Sequence, residues 1–407
     1  MEYKDLVTLF HMDKDLYALE YKNRFNSDNS VKLNYDVKGN QAFFVVNNEV
    51  SALILSILRL DKQVLAYSAD VPGVALKQYS NKSLIDEIVI TNNIEGVHST
   101  RKEVGDVLDI LQLQSVEANK ENRFFGLIDR YLKMRSNDNI SLKTSQDIRN
   151  LYDEIVLPEV LVDDKDNMPD GEIFRKSISE IQAPTGKVIH YGKEPESNII
   201  KYMGKALSFL NDNSIEPLYR ACIFHYMIED IHPFYDGNGR LGRFIFSYVL
   251  SKNLEPLIAY HISKTIKNNI GKYYKAFEIC DDERNKGDLT SFLIMMLTMI
   301  KEAYLDLLDS LKQSMNAWGY YEKTLFSHLE PQTKQMQLLY SLLIQAALFS
   351  EDGISMQELL SEMKIAYGTL VKRLAIVESQ DLLVSFKKGV RNYYKINLDT
   401  IDNFSRA

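Results

Sequence analysis

Twelve residues restrict what this chain can fold into more than any other stretch: His232-Pro233-Phe234-Tyr235-Asp236-Gly237-Asn238-Gly239-Arg240-Leu241-Gly242-Arg243. An apolar-periodic run, Tyr219 to Ile231, precedes them and another, Phe244 to Leu250, follows. The pattern predicts helix, tight loop, helix. Pro233 discourages the first helix from continuing past His232. Gly237 and Gly239 permit φ > 0 and leave no side chain to block a ligand. The loop runs into a helix N-terminus, where free N–H groups and the dipole favour an anion. Arg240 and Arg243, at i and i+3, project from one side of that helix start. Asp236 offers a hard carboxylate oxygen suited to Mg²⁺, and His232 is left to move a proton. Together these residues describe a phosphate site with a base and a metal ligand built in.

Each part alone has an ordinary explanation: a histidine cap, a Gly-Asn-Gly turn, two solvated arginines. Their joint occurrence resembles the Fic family signature, His-Pro-Phe-x-Asp/Glu-Gly-Asn-Gly-Arg-x-x-Arg, with every fixed position filled. The resemblance implies a mainly α fold, a Fic-type helical bundle with a small β-hairpin flap. It implies transfer of AMP from ATP to a Tyr, Thr or Ser hydroxyl of a target protein, with ATP and Mg²⁺ as cofactors. In those terms His232 is the general base and Asp236 the metal ligand. Backbone N–H groups from Gly237 through Gly239 to Arg240, with the Asn238 side chain, cradle the phosphates. Arg240 takes the β-phosphate and Arg243 the γ-phosphate, while Phe234 is a buried anchor.

Upstream, Glu49 to Tyr67 reads as an amphipathic helix and Ser83 to Gly96 as another, with Ser83 and Asp86 resembling a capping box. Taken alone, Glu95 is a surface carboxylate. The run Thr91-Asn92-Asn93-Ile94-Glu95-Gly96, however, resembles the family's inhibitory pattern, Ser/Thr-x-x-x-Glu-Gly/Asn, which implies that Glu95 pairs with Arg243 and restrains the enzyme. Residues 1 to about 40 are polar and poorly periodic, with loop signals at Asn26-Ser27-Asp28-Asn29. Phe174 to Gln182 and Val188 to Tyr191 flank a turn-like Ala183-Pro184-Thr185-Gly186 and read as a hairpin. In the family this is the flap, along which a target segment pairs as an added strand; Val188 and His190 would there meet the nucleotide. The chain departs from the family after the flap, reading His190-Tyr191-Gly192-Lys193-Glu194-Pro195 where His-x-Pro-Pro is common. Lys264 to Asp281 is expected to be one helix whose Tyr273-Tyr274 pair lines the nucleotide pocket by the same resemblance. His225, on the apolar helix, reads as a structural histidine. Leu289 to Leu311 closes the bundle.

At 407 residues the chain has room for two or three domains. A net charge of −8 argues against a globally basic nucleic-acid binder. Cys222 and Cys280 form neither a disulfide framework nor a metal-spacing pattern. The first residues lack a signal-peptide pattern, and no apolar run is long enough to span a membrane, so the expectation is a cytoplasmic protein with no membrane contact. Residues 334 to 407 read as a module of their own: helices over Met336–Leu348, Ser355–Met363 and Tyr367–Ser379, then a hairpin with Lys387, Lys388 and Arg391 near its tip. This resembles a winged helix-turn-helix. Lys372 and Arg373 suit DNA phosphates, but Glu358, Glu362, Glu378 and Asp381 nearly balance them, leaving DNA contact, protein contact and a structural role open. The division expected is 1–115 N-terminal helical region with the inhibitory helix, 116–312 catalytic core, 313–333 linker and 334–407 winged-helix-like domain. Two alternatives stand beside AMP transfer. One is a Fic enzyme moving another phosphate-containing group or removing AMP; the other is a winged-helix regulator whose Fic core senses nucleotide. Self-modification and a homodimer are compatible with either.

Overall fold

The computed structural model describes residues 3–112, 122–134, 139–182, 188–330, 332–388 and 391–404. Helix dominates, and the chain divides into two compact units, residues 1–62 with 84–305 and residues 63–83 with 306–407. The division therefore does not follow the expected boundary near 115, and residues 113–121 lie outside those described.

The larger unit opens with α1 (Leu6–Met12), α2 (Lys14–Phe25) and an antiparallel hairpin, β1 (Ser30–Val37) with β2 (Asn40–Val45). The poor periodicity of this segment hides the alternation of β1: Leu33, Tyr35 and Val37 are buried while Lys32 and Asn34 are exposed. β2 is buried from Ala42 to Val45, and Phe43 exchanges main-chain bonds with Gly287 and Leu289. Then come α3 (Asn48–Asp70) and α4 (Gly73–Ile94). α4 starts well before the expected Ser83, because nothing between Val74 and Lys82 breaks a helix. Ser83 and Asp86 consequently sit inside it and form no cap.

α5 (Arg101–Gln112), α6 (Phe125–Met134), α7 (Ser145–Ile155) and α8 (Leu157–Asp163) lead to the flap strands β3 (Glu180–Gln182) and β4 (Val188–Tyr191). These pair antiparallel, Ile181 opposite His190, with a register shift at Gln182. The first strand is shorter than expected because Phe174 and Arg175 are drawn under the signature loop instead; the expected turn at 183–187 lies outside the described residues. α9 (Glu196–Leu210), α10 (Pro217–Ile231) and α11 (Asn238–Asn253) follow. α10 packs against both α9 and α11 and is buried along nearly its whole length, Cys222 and His225 included. The single helix expected over 264–281 is two, α12 (Ile262–Asn268) and α13 (Ile270–Cys280). They meet at Asn269, whose side chain bonds the Thr265 carbonyl and Glu302.

α14 (Thr290–His328) corrects the expected 313–333 linker: most of that stretch is helix, since Gly319 alone does not stop a run of good helix formers. In the second unit Leu325 of α14 joins a core with Leu339, Leu343, Ile354, Leu359, Leu370, Val377 and Ile396. These come from α15 (Lys334–Phe349), β5 (Ile354–Ser355), α16 (Met356–Met363), α17 (Tyr367–Glu378), β6 (Leu383–Lys388) and β7 (Arg391–Ile396); α18 (Leu398–Phe404) follows. The three strands pair antiparallel in the order β5-β7-β6, so the hairpin has a third strand that its sequence does not advertise. Among the described residues no helix is long and apolar enough to cross a membrane.

Candidate active site

α10 ends at His232, which takes a left-handed conformation (φ 49°, ψ 64°) while its N–H still closes on the Ile228 carbonyl at 2.9 Å. That backbone is uncommon for histidine and is held from below. Arg175, fully buried, donates from Nε to the His232 carbonyl (2.8 Å), and its other nitrogens reach the carbonyls of Ser177 and Lys193. Phe234 stacks on Tyr152 with ring centres 3.6 Å apart, and the Tyr152 hydroxyl donates to the Asp236 carbonyl (3.0 Å). The Asn238 side chain accepts from the Phe234 N–H (2.9 Å) and donates to the Phe234 carbonyl (2.8 Å). Asn238 therefore clamps the loop with one of its two amide N–H groups and its carbonyl oxygen, and it also lines the cavity above the loop. Gly237, at φ 78°, turns the chain into α11.

Above this loop lies a cavity of about 550 Å³ whose lining includes His232, Asp236, Gly237, Gly239, Arg243, Glu95, Glu229, Tyr273 and Tyr274. Burial, then the neighbouring His190 and Arg175, push the His232 imidazole down to about 3, so it is neutral at every ordinary pH. The Glu229 main-chain carbonyl, one turn back, favours the ring's protonated form. Nδ1 is buried without a full hydrogen bond among the described residues. Asp236 accepts from the Gly237 N–H at 2.5 Å and is about a third exposed (37%) toward the cavity. One carboxylate with solvent access fits Mg²⁺, which is commonly held by one or two carboxylates plus substrate phosphates.

The two arginines part company. Arg240 is sealed against Glu159 of α8, with Asp236 at 3.4 Å on its other side, and does not line the cavity. The β-phosphate place that the resemblance gives it is not formed in this arrangement, because a buried carboxylate on a different helix holds the guanidinium. Arg243 does face the cavity. It donates to the Thr91 hydroxyl (2.8 Å) and carbonyl (3.1 Å) and pairs with Glu95 at 2.9 Å. Burial opposes its charge, but Glu95, Tyr273 and Glu229 more than offset that. A Cβ on Gly239 would fall 2.3 Å from the Glu95 carboxylate oxygen, so glycine there is what admits Glu95.

Tyr273 and Tyr274 both line the cavity, and the Tyr273 hydroxyl lies 2.7 Å from His225 Nε2. Val188 sits in β4 opposite Gln182. His190 reaches the cavity, but both ring nitrogens are engaged, Nδ1 with Asp281 and Nε2 with the Asp230 carbonyl at 2.9 Å. Burial alone would lower it; Asp281 and Asp230 raise it. These three side chains have ligand atoms within 4.8 Å, a metal-like spacing. Other groups complete the cluster instead: Lys193 lies 2.8 Å from Asp230, Tyr35 donates to Asp230 (2.5 Å) and Tyr226 to Asp281 (3.1 Å). It fastens the flap strand to the end of α10 and to Asp281 just beyond α13, with both His190 ring nitrogens engaged while the residue lines the cavity.

Sequence reasoning missed Arg175, Glu159 and Glu229. Arg175 and Glu159 carry no local signal, since their partners lie far away in the chain. Glu229 does: with Asp230 it is one of two adjacent carboxyls at the end of a mostly apolar helix. Burial, reinforced by Glu95, pushes it up to about 8, and its Oε1 has no hydrogen-bond partner among the described residues.

The Fic/DOC family model matches residues 143–250. Protein adenylyltransferase Fic of Aedes aegypti is 25% identical over 237 residues, 58% of this chain and 44% of that protein. Protein adenylyltransferase fic-1 of Caenorhabditis elegans is 29% identical over 98 residues, 23% of this chain and 18% of that one. The chain thus spans less than half the length of these curated relatives. A Fic family protein from Desulfovibrio desulfuricans G20 aligns over 87% of this chain and 97% of its own, at 20% identity and a TM-score of 0.49. Residues 143–250, which contain the His232 joint and the whole signature loop, are a Fic/DOC family domain.

Proposed function

We propose that this chain transfers AMP from ATP to a hydroxyl side chain of a target protein, and that Glu95 restrains it. The observation that carries the reading is the His232 joint: a neutral imidazole at a cavity edge, beside Asp236 and the N-terminus of α11. With its proton on Nδ1, toward the Glu229 carbonyl, His232 presents Nε2 to a Tyr, Thr or Ser hydroxyl. The hydroxyl oxygen attacks the α-phosphorus, its proton passes to Nε2 and pyrophosphate leaves. The arriving triphosphate is anionic and raises the imidazole from its low starting value toward the range useful for a base. Asp236 would hold Mg²⁺, which supplies charge neutralisation on the triphosphate. The first N–H groups of α11 bind phosphate oxygens. Arg243 serves the γ-phosphate once it is released by Glu95. The target segment adds along the flap edge.

Tyr273 and Tyr274 support a nucleotide in the cavity. The intact His232 and Asp236 favour an enzyme over a nucleotide sensor. ATP labelled at the α or the γ position separates the possibilities. Protein labelled from the α position by wild type or Glu95→Gly, and not by His232→Ala, supports AMP transfer. Label from the γ position means phosphate transfer, and no label from either, with Glu95→Gly included, overturns the proposal.

A further inference from the structure

Glu95, just past the end of α4, continues a line of polar side chains along one face of that helix. Glu87, Thr91 and Glu95 follow at i, i+4 and i+8, so Glu87 lies about 12 Å before Glu95 along the axis. Thr91 and Glu95 both bind Arg243. Glu87 binds elsewhere. It is completely buried, and its carboxylate accepts from the Ser263 hydroxyl (2.6 Å) and from the Ser263 N–H (3.0 Å) in the first turn of α12. A buried carboxylate is costly, and Glu87 is pushed up to about 7 by that burial, although the two Ser263 bonds, then the charge of Arg243 and the Tyr131 hydroxyl, all favour its ionised form. A leucine there would pack without this cost. Beyond it, Thr91 bonds Arg243 and the buried Asn92 bonds Ser99 (3.1 Å) and Val97, all within the end of α4 and the turn that follows, where α4 stops at Ile94 and Gly96 turns away at φ 77°; Glu87 ties the same face to α12. Glu87 is thus the fixed point from which the last two turns of α4 reach Arg243.

We infer that Glu87, through Ser263, is a positioning residue that sets the axial register of α4 and so delivers Glu95 to Arg243. The inference rests on the proposed restraint by Glu95, but its geometry can be read independently of activity. Loss of the carboxylate leaves α4 free to shift by a fraction of a turn, and the Glu95–Arg243 pair opens more often. A residue that only stabilised the fold would lower activity when removed; an anchor of the restraint raises it.

The test uses the full chain. Glu87→Met keeps the length and removes the acceptor, Ser263→Ala removes the shorter bond from the other side, and Glu87→Gln keeps one acceptor oxygen. Incorporation of α-label should rise about fivefold in Glu87→Met and about twofold in Ser263→Ala, and stay within about twofold of wild type in Glu87→Gln. In a Glu95→Gly background Glu87→Met should add less than about twofold, because both changes act on one contact. Hydrogen exchange at the amides of residues 91–96 should quicken about tenfold in Glu87→Met whatever the enzyme does. Unchanged exchange at 91–96 in Glu87→Met and Ser263→Ala overturns the inference, as does equal activation by Glu87→Met with and without Glu95. If Glu87→Met does not fold, Ser263→Ala decides. Quickened exchange with no label in any variant keeps the anchor and sinks the AMP-transfer reading instead.

Discussion

Arg240 and Arg243 leave the same turn of α11 and meet carboxylates of different character. Both side chains of the Arg240–Glu159 pair are 1% exposed, whereas Arg243 is 2% exposed and its partner Glu95 is 22% exposed. The first pair is walled in and can only be a fixture. The second has one member at the cavity surface, near the end of a helix, where it can leave and return. Arg243 also has a reserve. Glu229 stands beside it with its proton on, held up to about 8 by burial and by Glu95. Removal of Glu95 would take away the main cause after burial and make Glu229 easier to ionise beside Arg243. Under the proposed restraint, a sealed pair and an accessible pair, three residues apart, would divide structure from control.

Removing Glu159 tests the fixture and should have the largest effect. Glu159→Ala strands a buried guanidinium with only Asp236 at its edge, a loss of about 3 kcal/mol and a Tm drop on the order of 10 °C. A drop below about 2 °C would show that the two pairs do not differ as described.

The reserve is tested by pH. Unfolded, Glu229 loses its proton above the ordinary carboxylate range; folded, it keeps it to about 8. Between these values the native state holds more protons, so Glu229 makes stability fall as pH rises, with the loss complete above about 8. Tm measured from pH 5 to 9 should decline, and Glu229→Gln should flatten that decline by on the order of 2 kcal/mol. Parallel curves for the two proteins would remove Glu229 from this role.

The smallest stability change belongs to Glu95. Glu95→Gly should move Tm by no more than about 2 °C, because Thr91 and Glu229 stay with Arg243, while incorporation of α-label rises tenfold or more, a bias of about 1.4 kcal/mol. The double variant Glu95→Gly, Glu229→Gln should melt below either single one, since Arg243 then keeps only the more distant interaction with Glu87. In the Glu95→Gly background, His232→Ala should reduce label about 10²–10⁴-fold.

The signature loop was legible because its requirements are local: a proline stop, two glycines and a helix start within a dozen residues. Glu95 was legible only through a pattern tied to the family, since its distance from Arg243 in sequence says nothing of contact. What stayed hidden was long-range. Arg175 supports His232 from 57 positions away, and Glu159 claims Arg240 from 81. Neither partner changes the periodicity around it. The β1–β2 hairpin is a different case: its alternation was present, but the polar residues between the buried ones made the segment look poorly periodic. The long α14 shows the converse, an ordinary helical composition mistaken for a connection because its exposed face is polar.

The clamp made by Asn238 has one more consequence. Asn-Gly is the dipeptide in which a side-chain amide is most readily attacked by the following main-chain nitrogen, forming a succinimide and finally aspartate or isoaspartate. Here Asn238 precedes Gly239 at the centre of the signature loop, yet both ends of its amide are tied to Phe234. The group that stops the loop from opening is also kept from reacting by it. Ageing at this position should therefore proceed only as fast as the loop opens, so the accumulation of aspartate at 238 in stored protein would act as a slow clock of that opening.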